Sequence, residues 1–239
     1  MIVPTHEPAW WGSLIWLGTV TVLAFGIAWS SGRFRIPRVW YIPLLFVTTV
    51  GMAVTYVEWL GAGLGSVVST RWGWGLLAAA IAPIVLYKPM QHQPVTRHVH
   101  GSRLRRELVW EGGVYGVAEG VLLSALPPFI TWQMVQSLGW TGGGLQTVAR
   151  WALPLVAGAL VVVIHHLGYW NYRNKILIPI ALGLSVLSVG FLITGSWLAP
   201  AIGHIFMHFE ATVHGTDMPP NDRPGRSVPI EQRQLVTAA

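Results

Sequence analysis

The sequence predicts an all-α, polytopic membrane helical bundle of about seven spans, on three observations. Hydrophobic residues fill 53% of the 239 positions against 10% charged, and the charges crowd between long apolar runs, a pattern a bilayer imposes and a water-facing surface does not tolerate. Most of those runs are about 20 residues long, enough at 1.5 Å per residue to cross the ~30 Å of a hydrocarbon core. The Lys and Arg residues cluster after alternate runs, as in a chain oriented by its loop charges.

The first run, near Ala9 to Trp29, has no basic residue before it and no clear small-residue cleavage site after it, so a retained span is expected in place of a signal peptide. Trp40 to Gly61 and Trp72 to Tyr87 follow. The fourth run, Leu108 to Val135, carries Pro127 and Pro128, which are expected to kink or end a helix there and leave a re-entrant or interfacial piece. Ala152 to Trp170 and Ile176 to Trp197 are the fifth and sixth, and a shorter, more polar seventh runs from Leu198 to Val213. The membrane domain is thus expected over 1–215. Residues 216–239, with Pro219, Pro220 and Pro224, have too little apolar content for a core and are expected to be an extended or disordered cytoplasmic tail. Tryptophans at span ends, among them Trp10, Trp11, Trp40, Trp59, Trp72, Trp74, Trp140, Trp151, Trp170 and Trp197, suit an interfacial belt.

Arg33, Arg35 and Arg38 follow span one, and Lys88, Arg97, Arg103, Arg105 and Arg106 follow span three. Arg173 and Lys175 follow span five, and Arg223, Arg226 and Arg233 follow span seven, while the other side has little beyond Arg71 and Arg150. The positive-inside rule then sets the N-terminus outside and the C-terminus in the cytoplasm, with the inner membrane of a bacterium as the expected location. The same placement argues against nucleic acid as a partner despite a formal charge of +6, because the bases form no stripe with interleaved aromatics.

With no cysteine, thiolate sites and disulfides are excluded, which leaves the nine histidines and nine acids as ligands and catalysts. An ionisable group inside hydrocarbon is costly, and those that persist usually face a bundle interior. Glu119 is about twelve residues into span four, roughly 18 Å deep, and Glu111, Tyr115 and Glu119 share one helical stripe. His165 and His166 lie roughly 20 Å into span five, and His204 and His208 point to one face of span seven. Three spans thus bring a carboxylate and imidazoles to a common depth. Imidazoles there can hold a divalent metal such as zinc, or polarise a water, while Glu119 acts as base; the alternative is polar glue between helices. His92, His98 and His100 lie in a basic solvated loop, Glu58 is expected at an interface, and Glu210 and His214 share the side of His204 and His208 only loosely.

These residues carry a resemblance. His166-Leu-Gly-Tyr169, Tyr172-Arg173, an apolar helix, and Thr194-Gly-Ser-Trp-Leu-Ala-Pro200 running into His204 resemble the CAAX prenyl protease and bacteriocin-processing family of intramembrane glutamate-dependent endopeptidases. Its motifs are E-E-x-x-x-R, F-x-x-x-H and H-x-x-x-N. Glu119 matches the first glutamate, with Gly120 and Ser124 replacing the second glutamate and the arginine. His166 matches the second motif with Val162 for its Phe, and His204 matches the third with His208 for its Asn. The resemblance covers about the C-terminal half of the chain. It implies a hydrolase in which Glu119 activates a water and histidines support it, on a membrane-borne peptide or lipid-linked substrate. The departure to His208 adds a metal-ligand candidate, so Glu119, His166, His204 and His208 are the expected catalytic site, with His166, His204 and His208 as candidate metal ligands. Two other readings stay open: a non-catalytic subunit packed against other membrane subunits, and a haem or pigment binder.

Overall fold

The computed structural model describes residues 4, 8–92, 95, 99–140, 143–173 and 177–216, and the regular elements among them are all helical. The expected tail lies outside the described residues from 217 onward, as do His98, Arg97 and Lys175. The helices are α1 (Trp10–Phe34), α2 (Arg38–Trp59), the short α3 (Leu64–Ser69), α4 (Trp72–Gln91), α5 (Gly101–Ser137), α6 (Leu145–Leu167), α7 (Leu177–Thr194) and α8 (Leu198–His214). Five of them, α1, α2, α5, α6 and α7, are long and apolar enough to cross a membrane. The third and seventh apolar runs are helical but shorter: α4 has an apolar stretch over Trp72–Lys88, and α8 has 17 residues, about 25 Å at 1.5 Å per residue.

The burial pattern is that of a protein whose solvent is lipid. Leu145 is 82% exposed, Ile84 75% and Val22 69%, while His165, Ser13 and Ser31 are fully buried. Large aliphatic side chains on the outside of α1, α2, α4, α6 and α7 have no reason to persist in water. Trp10, Trp11, Trp40, Trp72, Trp74 and Trp170 are exposed at helix ends as expected of a belt. Trp197 is not part of it: it is buried edge-on against Phe129 and Phe191, and Trp59 stacks on Tyr56 inside the bundle.

Helix α5 is the centre. Of its most apolar window 78% is buried, against 22–33% for the other four spanning helices. It runs antiparallel to α8 at very close range, because Gly112, Gly116 and Gly120, four residues apart, form a bare stripe along one face. A Cβ on Gly112 would strike the Phe209 ring, one on Gly116 would lie 2.9 Å from the Ile205 Cα, and one on Gly120 2.9 Å from the Ala201 Cα. Helix α8 begins where it does because Gly195 turns the chain at φ 69° and Pro200 falls in the first turn, where its missing N–H breaks no helical bond.

Pro127 and Pro128 do not end the fourth run. Helix α5 continues through them to Ser137, so the expected re-entrant piece is absent among the described residues. A proline ring in a helix collides with the carbonyl four residues back. The carbonyls concerned, of Leu123 and Ser124, lie in a stretch, Gly120–Ala125, wound as a wider π-type helix, and this opens the backbone where the rings need space. A second widened stretch, Leu108–Tyr115, lies on the other side of Glu119.

Helix contacts also gather the described basic residues at one end of the bundle. Arg38 at the start of α2 pairs with Glu111 near the start of α5 at 2.5 Å. Gly168, just past α6, abuts Ala28 and Trp29 near the end of α1. Helices α4 and α8 run parallel, Gly75 beside Ser196 and Ala82 beside Gly203. Arg33, Arg35, Arg38, Lys88, Arg103, Arg105, Arg106 and Arg173 therefore share an end, with Arg71 and Arg150 at the other. Arg150 lies within α6, which starts seven residues before the predicted Ala152, and its guanidinium sits 5.2 Å from the Trp132 ring centroid.

Candidate functional site

Two turns inward from the Arg38–Glu111 pair, the α5 stripe reaches a cluster of polar side chains in the middle of the bundle. Glu119 is 4% exposed, His165 0%, His204 2% and His208 6%. The two carboxylate oxygens of Glu119 have separate surroundings. Oε1 accepts a 2.6 Å hydrogen bond from the Tyr115 hydroxyl, one turn back on the same helix, and lies 3.3 Å from Nε2 of His165 on α6. Oε2 faces α8, with Nε2 of His204 at 3.2 Å and Nε2 of His208 at 3.1 Å.

Local structure explains the convergence. The glycine stripe of α5 is one residue out of step with Glu111, Tyr115 and Glu119, so the bare face that admits α8 adjoins the face that carries the carboxylate. His204 and His208, four apart, stack their rings at 4.9 Å and present both Nε2 atoms to the same oxygen. On α6, Pro154, Gly158, Val161 and His165 fall on one buried face against α1 and α5.

Of the sequence-predicted set, Glu119, His204 and His208 are brought together, and His166 is not. Its ring nitrogen Nδ1 donates back to the Val162 carbonyl at 2.8 Å, and the ring packs against Tyr172 at 5.1 Å. His165 takes the place at Glu119 that the motif spacing gave to His166. Nδ1 of His165 is 2.9 Å from the Ala24 carbonyl oxygen, which only accepts, so that nitrogen carries a proton. Glu111 serves an ion pair with Arg38, distant from the cluster. His92 bonds the Lys88 carbonyl at an exposed helix end, His100 precedes α5, Glu58 is exposed at the end of α2, and neither Glu210 nor His214 is among the hydrogen-bond partners of Glu119.

Glu119, His204 and His208 are, among the described residues, the group that could hold a metal ion, with one ligand atom from each within 4.8 Å of the others. Ligands at about 2.0–2.1 Å from a tetrahedral zinc are about 3.3 Å apart, close to the 3.1 and 3.2 Å between the imidazole nitrogens and Oε2. The donor types and two of the three spacings thus suit a divalent metal, the third spacing lying within 4.8 Å. One atom runs the other way: Nδ1 of His204 is buried without a partner, and it would be left as an unsatisfied N–H if Nε2 bound metal.

No protein-family model, curated protein or solved structure matches the chain. The assignment therefore rests on the residues themselves.

Proposed function

We propose that the chain is an intramembrane hydrolase whose centre is Glu119, His204 and His208 holding a divalent metal, and that its substrate is a membrane-borne peptide or a lipid-linked molecule. The observation that supports this best is a carboxylate with three imidazoles around it, within 3.1–3.3 Å, drawn from three helices. The resemblance of Glu119, His204 and the Thr194–Pro200 turn to the CAAX-type endopeptidases gives the reaction class. In this reading the basic end is cytoplasmic, α4 and α8 complete a seven-span bundle with the N-terminus outside, and the bundle resides in a bacterial inner membrane.

A metal held there would supply a bound water of lowered pKa and a Lewis acid for the scissile carbonyl. The protein's own residues do the rest. Tyr115 holds Oε1, so Oε2 is the carboxylate oxygen turned to the reacting side. His165, beside Oε1 and outside the three-residue ligand set, backs the carboxylate on the side away from the reacting oxygen. The surrounding apolar helices exclude bulk water, which strengthens each of these interactions.

A second reading has its own support in the partnerless His204 Nδ1. Without metal, His204 and His208 each donate Nε2–H to Oε2, His204 keeps a bare lone pair on Nδ1, and Glu119 itself is the base. Elemental analysis of gently solubilised protein separates the two: about one zinc per chain is expected, and metal-free active protein would leave the carboxylate base. Coloured protein would instead favour a haem or pigment binder, and colourless, metal-free, inactive material that co-purifies with other membrane proteins would favour a non-catalytic subunit.

The histidine pair offers a sharper check. His165→Gln is expected to weaken Zn²⁺ affinity about tenfold, the usual effect of losing a group that supports a ligand. His166→Gln should stay within twofold. The reverse order, read by competition with a chromogenic chelator, would restore the motif-based assignment to His166.

A further inference from the structure

Three tyrosine hydroxyls cluster around Glu119 and His165, and the hydrolytic reading gives a part to only one of them. Tyr41 comes from α2, Tyr115 from α5 and Tyr169 from the turn after α6, and all three are buried. Their rings pack edge-on, Tyr41 against Tyr115 at 5.8 Å and against Tyr169 at 6.4 Å. The Tyr41 and Tyr169 hydroxyls bond each other, and the Tyr169 hydroxyl is 3.4 Å from Nε2 of His165.

The Ala24 carbonyl only accepts, so Nδ1 of His165 carries a proton, and Nε2 is shared between Glu119 Oε1 at 3.3 Å and the Tyr169 hydroxyl at 3.4 Å. The Tyr169 hydroxyl in turn bonds that of Tyr41, and either oxygen can donate. One chain of hydrogen bonds thus links Tyr41, Tyr169 and His165, and a second, from Tyr115, ends on Oε1. Both chains end on the Oε1 side of Glu119, while the Tyr115 ring itself packs edge-on against the His208 ring at 4.9 Å. A phenol suits this place because its ring packs as an apolar side chain while its hydroxyl serves a charged group without adding charge.

We infer that Tyr41, Tyr115 and Tyr169 are positioning residues that hold Glu119 and His165 from behind, leave Oε2 as the coordinating oxygen, and thereby set the metal affinity of the site. This rests on the metal reading of Glu119, His204 and His208.

The test uses the detergent-solubilised full chain and Zn²⁺ itself, with affinity read by chelator competition and folding by thermal unfolding. Tyr115→Phe is expected to weaken Zn²⁺ binding about 10–100-fold and Tyr169→Phe about tenfold, the range for groups that orient metal ligands. The Tyr169 effect acts through His165, so in a His165→Gln background it should shrink below about twofold, a loss of additivity that a merely structural role would not produce. Tyr172→Phe, which removes a hydroxyl from a ring packed beside Tyr169, should bind within twofold of wild type. Should Tyr169→Phe not be recovered folded, Tyr41→Phe reads the same link. Wild-type affinity in folded Tyr115→Phe and Tyr169→Phe would overturn the inference and leave the metal reading standing. An equal loss in the His165→Gln background would overturn the route through His165. A wild-type chain that binds no Zn²⁺ would overturn the metal reading and the inference together.

Discussion

Glu119→Gln is expected to abolish zinc binding and lower hydrolysis at least about a thousandfold, the scale seen when one member of a group acting as a unit is removed. The protein should still fold. Glutamine has the shape of glutamate, and its amide oxygen can keep the 2.6 Å bond from Tyr115 while the amide nitrogen takes the place of Oε2 between His204 and His208. That nitrogen can donate to an imidazole whose tautomer has turned its bare nitrogen inward, so the local network re-forms without charge. What it cannot do is offer a lone pair to a metal or accept a proton from water. The expected signature is therefore a normal unfolding temperature with no bound zinc and no turnover. A Glu119→Gln chain that hydrolyses substrate normally would remove the carboxylate from the mechanism. One that loses zinc yet stays active would exclude both the metal and the Glu119 base.

How much of this was legible in the sequence differs from residue to residue. Hydropathy and the placement of Arg and Lys suffice for an apolar helical bundle with one basic end, because burial in lipid acts on every residue of a run. Depth arithmetic brought Glu119, His204 and His208 together correctly, since a rise of 1.5 Å per residue holds inside a helix whatever its neighbours are. It could not choose between His165 and His166. Adjacent residues lie at the same depth about 100° apart, and only the packing of α6 against α1, through Ala24 and Gly168, decides which ring points inward. A usable signal was present in the spacing of Pro154, Gly158, Val161 and His165, a small and branched face that leads to His165.

The four-residue spacing of Gly112, Gly116 and Gly120 was a second signal, and it identifies where α8 must pack. Tyr115 was visible as a member of the α5 stripe. Tyr41 and Tyr169 were not, because their relation to His165 joins residues far apart in the chain. The prolines misled for a physical reason: the rule that ends a helix at Pro127 assumes a regular α-helix before it, and the wider winding of Gly120–Ala125 removes that premise.

The glycine stripe gives the second large effect, and it separates site geometry from site chemistry. Gly120→Ala adds one methyl group, which would lie 2.9 Å from both the Pro200 carbonyl carbon and the Ala201 Cα. These are backbone atoms that no rotamer change can move, so α8 must shift away from α5. Such overpacking costs about 1–3 kcal/mol. Activity should fall further than stability. A displacement of α8 carries His204 and His208 away from Oε2 together, and about 1 Å of misplacement at a reacting centre can cost on the order of a hundredfold. Gly51→Ala on α2, where an added Cβ meets nothing within 4 Å, is the matched control; it should be neutral or stabilising by about 0.5–1 kcal/mol, since alanine favours a helix over glycine. Unfolding midpoints and zinc affinity measured on both variants decide the matter. If Gly120→Ala binds zinc as tightly as wild type, the close approach of α5 and α8 is not what sets the three-ligand geometry.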